Sequence, residues 1–210
     1  MLLSESKKFL FVHIQKTAGT SLTRHLKQHL PDITPILRPH DPIAVAEQKL
    51  PLSLSQYFKA AFVRNPFDRL VSWYSMIEHH GVLLTEEEKR KTPGYNKIWQ
   101  HVLSESNNFE EFILNCQHAE DRSGWKPFLY NQIDYLKDTS GQINVDFIGQ
   151  FENISEDIDK LCQRLGITDS KMPHTNKSTH ANYRTYYSPH TRAIIEQRFA
   201  LDLEYFGYQF

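Results

Sequence analysis

Residues 9–21 read FLFVHIQKTAGTS. Phe9–Ile14 is an apolar run interrupted only by His13, the pattern of a strand covered on both faces in a parallel sheet. A loop of small and polar residues follows from Gln15, and a helix-like run extends from about Gly19 to Leu30. Strand, loop and helix in this order make a phosphate-binding layout. Small residues such as Ala18 and Gly19 let the backbone wrap an anion, and the first helical N–H groups point into the loop as donors. Thr17, Thr20 and Ser21 add hydroxyls, and Lys16 adds a full positive charge. The nucleoside-triphosphatase loop is G-x-x-x-x-G-K-[ST], whereas here the lysine precedes the glycine. The competing reading is an ordinary strand-to-helix turn capped by a threonine.

The rest of the chain repeats the strand-then-helix alternation. KAAFVRNP (59–66) reads as a second strand broken at Asn65-Pro66, and the helix after it places Phe67, Leu70, Val71, Tyr74 and Ile77 on one face. VDFIGQF (145–151) is a third strand. Its helix carries Ile158, Leu161, Cys162 and Leu165 and is stopped by Gly166. A last helix starts with Ser188 as cap and Pro189 in its first turn, with Ile195, Phe199, Leu203 and Phe206 as its stripe. Between the first helix and the second strand, PDITPILRPHDP (31–42) is a proline-broken loop, and Asp41 is expected to cap a short helix. The fold class that follows is α/β: a P-loop-like, mainly parallel sheet flanked by helices, as a single domain over 1–210. Residues 84–128 are more polar and read as an irregular insert or lid; within them TEEEKRKTPGYNK (85–97) has no core face and reads as a mobile surface helix or lid rather than a second domain.

Bulk properties exclude several function classes. With 210 residues, 40% hydrophobic and 23% charged, the chain can bury one substantial core. A net charge of −1 gives no basic surplus for a nucleic-acid groove. Cys116 and Cys162 lack C-x-x-C spacing, which suits a reducing compartment or plain packing. No apolar run approaches the roughly 18 residues of a membrane span. The opening MLLSESKK is too short and polar for a signal peptide, so a cytoplasmic protein is expected.

A second motif adds to the loop. FVRNPFDRLVSWY (62–74) puts Arg64 at the C-terminal end of a strand, where ligands bind in open parallel sheets, and Ser72 two turns into the next helix. A guanidinium fork suits a phosphate, although an ion pair of Arg64 with Asp68 is the plain alternative. Together HIQKTAGTSL and FVRNPFDRLVSWY resemble the 5′-phosphosulfate loop and the 3′-phosphate motif of sulfotransferases, most closely the small carbohydrate-type family with its H-I-P-K-T-A-G-T-S signature. Gln15 stands where that signature has proline. The segments from Val145 to Ile167 and from His174 to Tyr208 resemble the family's third strand and closing region.

The resemblance implies 3′-phosphoadenosine-5′-phosphosulfate (PAPS) as sulfuryl donor, PAP as product, no metal, and a hydroxyl acceptor on a saccharide. It implies that Lys16, Thr17, Ala18, Gly19, Thr20 and Ser21 hold the 5′-phosphosulfate and that Arg64 and Ser72 anchor the 3′-phosphate. His174, Asn176, Lys177 and Ser178 read as a polar loop closing over the nucleotide, with Lys177 on a phosphate, or else as a solvated loop. By the same resemblance a histidine between the first helix and the Arg64 strand is the base. Here that is His40, an imidazole able to accept a proton near neutrality, with Glu152 as the alternative. His13 is expected to be a hydrogen-bonded core residue, His79 and His80 to end a helix, and the His25/His29 pair to lack a third metal ligand. Trp125 and the tyrosines of 183–187 suit packing or stacking on a ring. Two other functions fit the same motifs: a binding module that has lost catalysis, and a P-loop kinase, which the lysine-before-glycine order disfavours.

Overall fold

The computed structural model describes residues 1–50, 53–83, 85, 87, 97–121, 124–172 and 181–210, the side chains of His80, Val82 and Leu83 excepted. The described helices are α1 (Gly19–His29), α2 (Ile43–Lys49), α3 (Pro66–Leu83), α4 (Lys97–Glu105), α5 (Phe109–Asn115), α6 (Ile154–Leu165), α7 (Pro189–Arg198) and α8 (Ala200–Phe206). The chain divides into two compact units, one of residues 1–64 and 132–177 and the other of 65–131 and 178–210.

The first unit is α/β. Strands β1 (Leu2–Ser4), β2 (Phe9–Val12), β3 (Thr34–Pro35), β4 (Phe58–Val63) and β5 (Phe147–Gln150) form one sheet in the order β3-β1-β2-β4-β5. The three strands expected from sequence run parallel, with Phe11 opposite Ala60 and Ala61 opposite Ile148. The sheet is mixed because β1 pairs antiparallel with β2 and with β3. These two strands are too short for alternation to declare itself, and a turn with Lys8 at φ 46° folds β1 back onto β2. Phe9, Phe11, Ala60 and Phe62 share a face at the period of a strand. They pack with Leu22 and Leu26 of α1 and with Ile158, Leu161, Cys162 and Leu165 of α6. Gly166 ends α6 in the left-handed conformation, φ 71°, as its sequence position suggests. Asp41 does not cap α2, whose N-cap is Pro42. Its buried carboxylate instead accepts the Arg38 N–H at 3.1 Å, closing the turn that carries His40.

The second unit is helical. Phe67, Leu70, Val71, Tyr74 and Ile77 of α3 are all buried, on the stripe read from sequence. They pack against Ile98, Trp99 and Val102 of α4, Phe109, Phe112 and Ile113 of α5, Phe128, Ile195 and Phe199. This corrects the reading of 84–128 as an irregular lid: its described part from Lys97 onward supplies two helices and much of this core. Most of TEEEKRKTPGYNK lies outside the described residues. The expected last helix breaks at Phe199, φ −110° and ψ 27°, into α7 and α8. Tyr183 and Tyr187 pack on Phe67, and Trp125 meets Tyr130 edge-on. Ser188 and Thr191 form a reciprocal capping box at the start of α7. Ser188→Ala is expected to lower stability by about 1 kcal/mol in denaturant titration.

Candidate active site

The loop that leaves β2 is shaped by two left-handed residues. Lys16 has φ 67° and Ala18 φ 64°. Neither is glycine, so the surrounding contacts must hold a conformation that L-residues seldom adopt. One such contact is the buried Thr17 hydroxyl, which donates to the Ile14 carbonyl at 3.0 Å. The Thr17 hydroxyl is therefore engaged in holding the turn. Helix α1 begins directly after Ala18, with no side-chain cap and no acidic residue in its first turn. The first N–H groups of a helix carry the positive end of its dipole, and in α1 these belong to Gly19, Thr20 and Ser21.

Two cations frame this loop. The Arg64 side chain, at the C-terminal end of β4, is buried, and its Nη1 donates to the Lys16 carbonyl at 3.2 Å. The guanidinium lies 4.0 Å over the Phe151 ring. Gln132 fixes the arginine's backbone from both sides: Arg64 N–H donates to Gln132 Oε1 at 2.9 Å, and Gln132 Nε2 donates to the Arg64 carbonyl at 2.8 Å. Burial, and then the neighbouring Arg64 charge, lowers the Lys16 ammonium to about 8. Two positive groups held near an uncapped helix start repel each other, and a bound anion relieves that repulsion.

A pair of histidines stands beside the loop. His40 Nδ1 lies 3.0 Å from the His13 carbonyl oxygen. A carbonyl only accepts, so Nδ1 carries the hydrogen and Nε2 is left as the basic nitrogen. The two rings meet edge to face, 4.5 Å between centroids. Desolvation, with a smaller contribution from His40, pushes the His13 imidazole down to about 3, so it is neutral over the working pH range. A cavity of about 240 Å³ opens here, lined among others by His13, Thr20, Thr23, Lys27, Leu37 and Pro39.

The loop after β2, the arginine bonded to it and His40 are the groups that the two sequence motifs and the histidine reading single out. The sulfotransferase family model matches residues 1–209. The chain belongs to the sulfotransferase family. Two solved structures are similar to the enzyme. Mouse sulfotransferase SULT7A1 complexed with PAP is 14% identical over 97% of this chain and 86% of that one, with a TM-score of 0.41. The sulfotransferase from Alicyclobacillus acidocaldarius is 15% identical over 94% and 92%, with a TM-score of 0.38. No curated protein sequence matches the enzyme significantly.

The remaining sequence candidates are placed as follows. Lys16, Thr17, Ala18, Gly19, Thr20, Ser21, Arg64 and His40 all lie in the first unit. Ser72 is in the second unit, buried on α3. Lys177, with His174, Asn176 and Ser178, lies outside the described residues. Glu152 is exposed in the helical turn after β5. His13 is hydrogen-bonded through its backbone carbonyl, to His40, while its ring packs against Gly19 and His40. His25 is buried, with Nε2 3.4 Å from Cys162 Sγ, and no group of three or more possible metal ligands occurs among the described residues. Helix α3 continues past His79 and His80 to Leu83. Sequence reasoning missed Gln132 and Phe151, which hold Arg64 across long separations and belong to no local pattern. No described helix is long and apolar enough to cross a membrane.

Proposed function

We propose that the enzyme moves the sulfuryl group of PAPS to a hydroxyl of a carbohydrate, releasing PAP, without a metal ion and with His40 as base. The observation that carries this reading is the Arg64 guanidinium bonded to the Lys16 carbonyl, beside the uncapped start of α1. It ties the arginine of the second motif to the lysine of the first.

The acceptor oxygen attacks sulfur in line, and the bond from sulfur to the 5′-phosphate oxygen breaks. The acceptor proton passes to His40 Nε2, and the new charge on the departing phosphate is met by Lys16 and the loop N–H groups. Positioning and electrostatics do the work, as in phosphoryl transfer. The resemblance of FVRNPFDRLVSWY to the 3′-phosphate motif assigns Arg64 and Ser72 to that phosphate. Lys177, in the polar sequence HTNKS (174–178), is a further phosphate partner in this reading. Residues 1–210 act as one sulfotransferase domain, in the cytoplasm. The cavity beside His13 suits a sugar ring: Leu37 and Pro39 offer an apolar face, while Thr20, Thr23 and Lys27 offer hydroxyl and ammonium partners.

The test is transfer of labelled sulfate from PAPS to a panel of saccharides in the presence of a chelator. Sulfated product at an unreduced rate is the expected result. Tight PAP binding with no product on any acceptor would instead mark a binding module, and Mg²⁺-dependent ATP binding would mark a kinase.

A further inference from the structure

We propose that His13 is a positioning residue for the reaction: its ring, seated where a side chain on Gly19 would stand and edge-on to His40, couples the donor loop to the base. This rests on the reading of His40 as base. Four observations support it. A Cβ built on Gly19 would overlap the His13 imidazole at Cδ2 and Nε2, so the glycine and the ring fit each other. On its other side the ring meets His40 at an interplanar angle of 71°. The backbone carbonyl of the same residue holds His40 Nδ1, so His13 grips the base at two points. Phe11 stacks nearby, 6.0 Å between centroids, and among the described residues the His13 ring nitrogens make no hydrogen bond. The ring therefore acts by shape and stays neutral, as its desolvation requires.

The loop glycine gains a second role. Besides letting the backbone approach an anion, Gly19 leaves the volume that His13 fills. The separation of His13 and Gly19 in HIQKTAG is then one contact, and the two residues should fail together.

The experiment compares His13→Ala, His13→Phe, Gly19→Ala and the double variant His13→Ala/Gly19→Ala. It measures kcat and KM with PAPS and a saccharide acceptor, and the Kd of PAP by calorimetry. His13→Ala is expected to lower kcat by about 10- to 100-fold, the scale of a misplaced catalytic group. PAP affinity should change by no more than about twofold, the scatter seen for independent sites. His13→Phe, which keeps a neutral ring in the same space, should retain most turnover. Gly19→Ala should weaken PAP binding in the parent, and much less when His13 is already alanine. An unchanged kcat in His13→Ala would overturn the proposal, as would a Gly19→Ala effect of equal size in both backgrounds. If His13→Ala does not fold, Gly19→Ala alone decides: displacing the ring should lower kcat by a larger factor than PAP affinity, and equal losses would overturn it. Near-normal turnover by His40→Ala would sink the base reading. The His13–Gly19 coupling is read from PAP affinity without turnover, so its absence would sink this proposal alone.

Discussion

Lys16→Ala should abolish measurable sulfuryl transfer, a loss of about 10³-fold or more in kcat. Removing one neutral donor from a charge-stabilising site costs roughly 10²- to 10³-fold, and here the group removed carries a full charge. The surroundings of Lys16 account for the size of this effect. Lys16 sits in a left-handed conformation, its carbonyl is tied to Arg64, and burial beside that arginine lowers its ammonium to about 8. An anion is bound by the protonated form, so PAP affinity should fall as pH rises above about 8, by up to tenfold per unit. Stability without ligand follows the opposite course. The folded value lies below the ordinary 10.5, so between about 8 and 10.5 the unfolded chain holds more protons. Lys16 therefore makes the unliganded fold gain stability as pH rises through that window. Lys16→Met should remove this slope and raise the melting temperature of the unliganded protein at pH 7.5, while PAP no longer stabilises it. Calorimetry at pH 7.5 and 9.5, with and without PAP, checks all three effects. A Lys16→Ala enzyme within tenfold of the parent rate would remove Lys16 from the mechanism.

How far the sequence could be read depended on distance along the chain. The β2–loop–α1 unit was legible because its strand, lysine, glycine and helix are contiguous, and each has a local physical signature. Arg64 was legible for the same reason, as a charged residue at the end of an apolar strand. What holds Arg64 was not legible, because Gln132 and Phe151 are brought to it only by the fold. Strands β1 and β3 escaped because two or three residues carry no period, and they become strands only by pairing with β2 and each other. The region 84–128 was misjudged for a related reason. Its apolar residues fall in the short helices α4 and α5, between polar stretches that dilute the pattern, yet Trp99, Phe109 and Phe112 are core. The His13 ring was read as a core group because a histidine on a buried strand usually is one. Only its contacts with Gly19 and His40 show what it packs on.

His40→Ala should lower kcat by about 10²- to 10⁴-fold, the usual contribution of a positioned general base, with the KM for PAPS nearly unchanged. The KM should hold because, on this reading, the donor is gripped by Lys16, Arg64 and a loop that is tied by the bonds from Arg64 to the Lys16 carbonyl and from Thr17 to the Ile14 carbonyl. The hydrogen bond from Nδ1 to the His13 carbonyl gives the prediction a finer edge. His40→Asn can still donate an amide proton toward that carbonyl, but it has no nitrogen that accepts a proton near neutrality. It should therefore be as slow as His40→Ala while keeping the parent's stability. Added imidazole should restore part of the turnover of His40→Gly, because a small base can enter the space vacated, and should do nothing for Lys16→Ala, whose defect is at the leaving group. Glu152→Gln supplies the opposing arm. Glu152 is exposed in the turn after β5, so this variant should turn over at close to the parent rate. Loss of activity in Glu152→Gln together with a near-normal His40→Ala would move the base to Glu152. It would also leave the His13–His40 contact without a catalytic purpose.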